Sequence, residues 1–481
     1  MRKKIAIEIS KCLDDISSGI KMIGNFKDNK YVVSKVEKIF KESLLKLDSE
    51  MDDIGKEQVE ALKEAIKSVD AIETNRLISE IKTFISENIV YKVVFMPYKA
   101  SMWDSLESIW MAADKDERCE ALVVPITYYE LDDKRNPIKK VNESNLFPEY
   151  VNAVNDEEYD LENDLPDIIY IHNPYDNTNL ITRVDSRYYS WNLKKYCEKL
   201  VYVPYYKWID GSSSPMLGDF SCFVDYLILG SDNAVSDCKN HLSESADILG
   251  VDRDNFEKSV SNKLLGMGSP YIDKVRRINK NNTPFPSEWD ATKMNGKKVI
   301  LYNLTLREIF NFCSLGKVKR TLDFFKENRD DVCVILRPHP LMRAMLNSMF
   351  PNLLAEYDCV IQEFKSDGYG VLDEEEDMYV SFVWSDACYG MRRSSLTELY
   401  KYTGKPLLVY DSDYDNENNY FLNNYDQQRE VSNMFSERNM TLSEFLEILR
   451  ENKGYVVNDE GGTENGKKIH DFVMHKILFN L

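Results

Sequence analysis

The chain has 481 residues, too many for one ordinary hydrophobic core, and its length predicts two or three domains. Hydrophobic residues make up 43% of the chain and charged residues 30%, a balance that excludes extensive disorder. The formal net charge of −20 excludes a general attraction to nucleic acid, so any phosphate group must be bound in a small, enclosed basic site.

Cysteine usage and hydropathy define the expected environment. The nine cysteines form no CxxC pair and are odd in number, which predicts reduced thiols and neither disulfides nor zinc. No metal and no cofactor are expected. No stretch approaches the roughly 18 apolar residues of a membrane span, and no signal peptide is recognised after the basic amino terminus. The prediction is a cytoplasmic protein, with peripheral attachment to the inner face of the cell membrane left open.

The first ninety or so residues have helical periodicity. Apolar residues recur every three or four positions, as in Ile5, Ile9, Leu13, Ile16 and Ile20, with charged residues between them. Residues 1–90 are therefore predicted to form a helical region. Two roles fit it: an element for docking or homo-oligomerisation, or helices that simply pack on the next domain.

Short apolar runs then alternate with amphipathic stretches. In residues 91–285 the predicted strands include YKVVFMP, DIIYIHNP and DYLILGSD, and in residues 286–455 they are KKVILYNLT, DVCVILRPHP, DCVIQEF, YVSFVWSDACYG and KPLLVYDSD. Continuous apolar strands separated by helices indicate parallel sheets that are covered on both faces. The predicted fold class is α/β, with two Rossmann-like domains facing a cleft. Residues 456–481 are predicted to form a helix that packs back on the first domain.

Polar and charged residues follow these strands at their carboxyl ends, where doubly wound domains bind ligands. They are His172 in IHNPYD, Thr305 and Arg307 in LYNLTLRE, Arg337 and His339 in LRPHP, and Arg392, Arg393, Ser394, Ser395 and Glu398 in RRSSLTELY. Cations and hydroxyls before a helix suit a phosphate, and Glu398 lies where a carboxylate accepts hydrogen bonds from ribose hydroxyls. The simpler interpretation of Ser394 and Ser395 is an N-cap alone.

His339 has three open interpretations. The side chain is bonded to loop backbone, or as a neutral imidazole it takes a proton from an attacking hydroxyl, or as an imidazolium it stabilises a leaving phosphate. Two further motifs are assigned structural roles. DEEED at 373–377 is predicted to be a solvated loop instead of a metal cluster, and GMGSP at 266–270 a turn at a strand end.

These motifs, in this order, resemble the CDP-glycerol glycerophosphotransferase family, the teichoic-acid and capsule polyol-phosphate transferases. The resemblance spans roughly residues 91–420 and rests on ILYNLTLRE, ILRPHP, RRSSLTELYKYTGKPLLVY and GMGSPYID. It implies a GT-B type fold and transfer of a polyol phosphate from a CDP-linked donor, the substrate, to a polymer or lipid-linked acceptor hydroxyl. By matched position, it implies that the donor phosphates contact Thr305, Arg307, Arg337, His339, Ser394 and Ser395.

The chain departs from the family pattern at two places. Family members carry a Trp-His-Gly segment whose histidine is the favoured base, whereas the corresponding strand here reads LVYVPYYKWIDG, and His172 is the expected substitute. Arg392 and Arg393 stand where the family has an aspartate before the Ser-Ser pair. Two alternatives stay open: a nucleotide-sugar glycosyltransferase of the same fold, or an inactive GT-B-like scaffold in envelope assembly that docks through its amino-terminal helices.

Overall fold

The computed structural model covers most of the chain. It describes residues 1–50, 53–132, 134–205, 217–312, 314–375, 377–392, 394–410, 434–437, 439–451 and 464–478. Within these ranges, no helix combines the length and the apolar character needed to cross a membrane.

Four helices precede the first strand: α1 (Lys3–Asn25), α2 (Lys30–Glu50), α3 (Asp53–Lys67) and α4 (Ala71–Glu87). The periodic residues of α1 form its inner face, since Ile9, Leu13 and Ile16 are fully buried. They belong to the same hydrophobic core as Val93 and Phe95 of the first strand. The helical region therefore packs on the first α/β domain, and a docking role for it stays a prediction.

The first α/β domain contains one parallel sheet and one small antiparallel sheet. Its elements are β1 (Tyr91–Met96), α5 (Glu107–Asp114), β2 (Cys119–Val123), β3 (Tyr128–Leu131), β4 (Pro137–Val141), α6 (Leu161–Asp164), β5 (Ile168–Ile171), β6 (Thr182–Val184), α7 (Ser190–Leu193), β7 (Lys199–Tyr202), α8 (Phe220–Phe223), β8 (Tyr226–Leu229), α9 (Asp232–Asn240), α10 (Leu242–Leu249), α11 (Arg253–Val260), β9 (Leu264–Gly266) and α12 (Pro270–Arg277). The parallel strands lie in the order β2-β1-β5-β7-β8-β9, and β4-β3-β6 form the antiparallel sheet. Strand order reverses between β1 and β5, so a crevice is expected at the carboxyl ends of these two strands.

The second domain is also doubly wound. Its elements, followed by the carboxyl-terminal helix, are β10 (Lys298–Leu304), α13 (Leu306–Phe312), α14 (Gly316–Glu327), β11 (Val332–Pro338), α15 (Met342–Met349), α16 (Pro351–Asp367), β12 (Gly370–Leu372), α17 (Tyr379–Trp384), β13 (Ala387–Met391), α18 (Ser395–Tyr400), β14 (Leu407–Tyr410), β15 (Met434–Ser436), α19 (Leu442–Glu451) and α20 (Asn465–Ile477). The strands lie in the order β12-β11-β10-β13-β14-β15, all parallel, and the order reverses between β10 and β13. The two sheets confirm the predicted α/β class with two Rossmann-like domains, the organisation of the GT-B type.

Two of the predicted strands are wrong in part or in whole. DCVIQEF lies in α16, where Tyr357, Val360 and Phe364 are buried at intervals of three and four, the spacing of a helix. The first half of YVSFVWSDACYG is α17, and β13 begins only at Ala387. Both errors have one cause, because a short apolar run is compatible with a buried strand and with a buried helix.

The turn GMGSP ends β9 as expected, and α20 packs beside it. Asp273 of α12 accepts hydrogen bonds from the backbone N–H groups of Asn465 and Gly466, at 3.0 and 2.7 Å, which satisfies the first turn of α20. A Cβ added to Gly466 would lie 2.3 Å from the carbonyl carbon of Ser108 in α5. This close approach of two helices requires glycine at that position.

We expect Gly466→Ala to lower the free energy of unfolding by about 1–3 kcal/mol, because the new methyl group would force α20 away from the α5 backbone. Gly24→Ala is the matched control, since a Cβ at this position in α1 has nothing within 4 Å. The control is expected to be neutral or slightly stabilising. Denaturant unfolding of the two variants tests the contact, and equal stabilities would contradict it.

Candidate functional site

The candidate site lies where the strand order of the second sheet reverses. Asn303 at the end of β10 donates from Nδ2 to Ser394 Oγ, which follows β13, at 2.8 Å. Gly390 permits this approach, since a Cβ there would lie 2.6 Å from Thr397 Cγ2 and 3.3 Å from Asn303 Cβ. Ser394 occupies the N-cap position of α18 without making a side-chain cap bond. Its hydroxyl, which accepts from Asn303, can therefore donate its own hydrogen to an anion.

His339 lies on the adjoining strand end. Its backbone N–H donates to the carbonyl oxygen of Leu304 at 2.9 Å, which places the histidine beside the end of β10. The ring nitrogen Nδ1 accepts from the backbone N–H of Leu341 at 3.1 Å. Burial lowers the pKa of His339, which favours the neutral ring. With Nδ1 accepting, the proton of that neutral ring lies on Nε2, so the free nitrogen is a hydrogen-bond donor.

Thr305 and Arg307 flank the start of α13. The exposed side chain of Arg307 forms no salt bridge to the residues that the structure describes. The next residue, Glu308, is buried and accepts hydrogen bonds from the hydroxyls of Tyr302 and Tyr410. Burial raises the pKa of Glu308. The bonds from the two tyrosines to Glu308 fix α13 on the sheet. At the start of this helix, Thr305 Oγ1 accepts from the Glu308 N–H at 3.4 Å.

Arg337 is not a free phosphate ligand. Its guanidinium is buried, with Nη1 donating to Asp373 Oδ2 at 2.6 Å and Nη2 donating to the carbonyl oxygen of Glu375 at 2.8 Å. Asp373 also accepts from the hydroxyl of Ser381. A buried cation needs a partner, and here the first residue of DEEED supplies it. The expectation of a solvated position for Asp373 is wrong, since this residue is buried. A pyrophosphate contact for Arg337 stays a prediction, and a phosphate would have to compete with Asp373 for the guanidinium.

Two further residues that were predicted to contact the substrate are bonded to protein groups. Arg392 is buried, and its Nη2 donates to Ser436 Oγ at 2.8 Å. Glu398 is also buried, and its Oε2 accepts from Lys401 Nζ at 2.7 Å. A phosphate or ribose would have to compete with these partners, because buried charged groups are stable only when paired.

Helix α18 offers less to an anion than the sequence suggests. It spans only six residues, so few peptide dipoles are aligned along it. Ser395 is exposed in its first turn. Arg393 lies outside the described residues.

His172 is a structural residue in this chain, not an accessible base. The side chain is fully buried, Nε2 accepts from the Tyr98 backbone N–H at 3.0 Å, and Nδ1 lies 3.0 Å from Ser105 Oγ. Burial lowers its pKa to about 3. Both ring nitrogens are therefore used in joining the ends of β1 and β5. A role for His172 as the base stays a prediction, and it would require both of these contacts to be given up.

Carboxylates at the same edge of the first sheet escaped the sequence analysis. Asp104, in a short 3-10 helix (Ala100–Ser105) after β1, has its pKa raised to about 6 by burial, and Lys274 Nζ lies 3.6 Å from its Oδ1. Burial also raises the pKa of Asp176 to about 6, and Ser190 donates to it from both N and Oγ. Such carboxylates accept a proton near neutral pH more readily than ordinary aspartates. Their only sequence signal is their position after a strand.

Comparison with known proteins finds solved structures that are weakly similar to this chain. No protein-family model and no curated protein sequence matches the chain. Similar solved structures include S. aureus MnaA with UDP, at 13% identity and a TM-score of 0.46, covering 81% of this chain and 97% of that one. The UDP-GlcNAc 2-epimerase of Methanocaldococcus jannaschii has 12% identity and a TM-score of 0.45, with 80% and 99% coverage.

A variant of the wall teichoic acid polymerase TagF is similar over 89% of this chain and 99% of that chain, with 14% identity and a TM-score of 0.40. With TM-scores this low, the likenesses carry no argument about chemistry. The fold class of the chain stands on its own sheet topology.

We expect Asp373→Asn to destabilise the protein by about 3–5 kcal/mol, because it would leave the Arg337 charge buried without a counter-ion. Asp358→Asn is the matched control, since the Arg343–Asp358 pair lies at the surface with side chains 69% and 36% exposed. The control should cost less than about 1 kcal/mol. Denaturant unfolding measures both changes. An equally small effect of Asp373→Asn would show that Arg337 does not depend on this pair.

Proposed function

We propose that the chain is a GT-B type transferase that moves glycerol phosphate or a related polyol phosphate from a CDP-activated donor to an acceptor hydroxyl in cell-surface polymer synthesis. The observation that carries the proposal is the Asn303–Ser394 hydrogen bond at the reversal point of the second sheet. Ligands of doubly wound domains bind outside the strand ends at such a point. The residues that meet there belong to the motifs by which the sequence resembles the family.

The electrostatic arrangement suits a leaving nucleotide phosphate. Ser394 Oγ and His339 Nε2 each have a hydrogen to donate, and the exposed Arg307 adds a positive charge in the first turn of α13, the helix that follows β10. Donors held in place before the reaction stabilise charge that develops on phosphate oxygens as the bond to the leaving group breaks. In this proposal, His339 donates a hydrogen bond to the negatively charged phosphate. It does not take the proton from the attacking hydroxyl, because its free nitrogen already carries hydrogen.

A second candidate function is an inactive GT-B-like scaffold. The observation that favours it is the burial of His172, whose two nitrogens are both bonded within the first domain. The sequence offers no other histidine in the expected family position, and the corresponding segment at 206–211 lies outside the described residues. A scaffold would retain the fold without binding a nucleotide donor.

A binding panel separates the candidate functions. The proposed transferase should bind CDP and CDP-glycerol more tightly than UDP and UDP-sugars, as measured by isothermal titration calorimetry. Tight binding of a UDP-sugar alone would contradict the proposal and indicate a glycosyltransferase. Binding of none of the four ligands would indicate the scaffold.

The role of His339 is tested by two substitutions. His339→Ala removes the Nε2 donor and should weaken CDP binding by about 1–3 kcal/mol, within the range for a hydrogen bond to a charged group. His339→Gln restores an N–H donor and should recover part of that loss. The measurement is calorimetric CDP affinity, with circular dichroism as a check of folding. Full affinity in His339→Ala would remove this residue from the site.

A further inference from the structure

A group of residue types that commonly bind metals lies at β2, an edge strand of the first sheet. Asp116 lies in the segment that joins α5 to β2, Cys119 is the first residue of β2, and His470 comes from α20, which packs against α5. One potential ligand atom from each residue lies within 4.8 Å of those of the other two. These three residues are called the α20 cluster below.

The distances are close to those between ligands of one metal ion. His470 Nε2 lies 3.0 Å from Asp116 Oδ2 and 4.0 Å from Cys119 Sγ. Zinc ligands at about 2.0–2.3 Å in a tetrahedron are separated by roughly 3–4 Å. A second soft atom is adjacent, since Met474 Sδ lies 3.6 Å from Cys119 Sγ. The four neighbouring side chains offer an imidazole, a thiol, a carboxylate and a thioether.

The present hydrogen bonds do not prevent coordination. Asp116 is paired with Arg118: Oδ1 accepts from the Arg118 backbone N–H at 3.1 Å and from Nε at 2.9 Å, and Oδ2 accepts from Nη2 at 2.8 Å. The second lone pair of Oδ2, which now faces His470 Nε2, is therefore the one available to a cation. The Nδ1 of His470 is buried and has no partner among the described residues. Moving the ring proton from Nε2 to Nδ1 gives up the hydrogen bond from Nε2 to Asp116, and bonds from both atoms to the metal ion would replace it. The Nε2 lone pair then faces Cys119 and Asp116.

We propose that the α20 cluster binds a divalent cation of the zinc class through Cys119 Sγ, His470 Nε2 and an Asp116 oxygen. Water or the Met474 thioether completes four-coordination. Binding forms a metal–sulfur bond and releases the Cys119 thiol proton to solvent, with no change of oxidation state. The ion would join α20 to the edge of the first sheet across 354 residues of sequence. This inference is independent of the proposed transfer reaction.

Cobalt(II) provides the direct test, because it occupies zinc sites and absorbs light when bound to a thiolate. Metal-free full-length protein should bind one Co²⁺ per chain with a thiolate-to-cobalt charge-transfer band, and Zn²⁺ should abolish that band. Cys119→Ser and His470→Asn should lose it. Cys197→Ser is the matched control, since this partly buried thiol donates to the Leu193 carbonyl oxygen instead, and it should retain the band.

A measurement on the unmodified chain keeps the test independent of variant folding. Zn²⁺ should protect Cys119 from alkylation, as mapped by mass spectrometry, and should leave the exposed thiols Cys222 and Cys359 reactive. No cobalt band in the wild-type protein, a band that persists in Cys119→Ser, or no zinc protection of Cys119 would each overturn the proposal. The cluster would then be a hydrogen-bonded Asp–His pair that holds the helix.

Discussion

The reversal of strand order between β10 and β13 is the constraint on which the candidate site depends. On the two sides of this point, the connections that leave the strands cross opposite faces of the sheet. They therefore leave a crevice between them at the carboxyl ends of the two strands. The hydrogen bond from Asn303 to Ser394 crosses it. His339 is held next to it by the bond from its backbone to Leu304. The site is thus assembled by sheet topology from three segments that are distant in sequence.

Burial decides which of the polar residues at strand ends remain available to a ligand. Arg337 lies near the carboxyl end of β11 and His172 directly follows β5, yet the first is neutralised by Asp373 and the second joins two strand ends through both ring nitrogens. A buried polar group is stable only when its hydrogen bonds are satisfied, so the protein supplies the partners that a substrate would otherwise provide. Exposed donors such as Arg307 have no such competitor among the described residues.

The sequence predicted the sheets and the edge on which the candidate residues lie, because the strands are continuous apolar runs and their polar residues follow them. It did not predict α16, since a short stretch with a few apolar residues, such as DCVIQEF, fits a strand and a helix alike. It also missed the Arg337–Asp373 pair and the α20 cluster. Their members are separated by 36 and by up to 354 residues, and only the folded chain brings them together.

We propose that a CDP-linked donor binds at the carboxyl ends of β10, β11 and β13. A crystal structure of the chain with bound CDP tests it most directly. In that structure, the β-phosphate oxygens should lie within hydrogen-bonding distance of His339 Nε2 and Ser394 Oγ. A nucleotide bound elsewhere, with these two donors facing solvent, would contradict it.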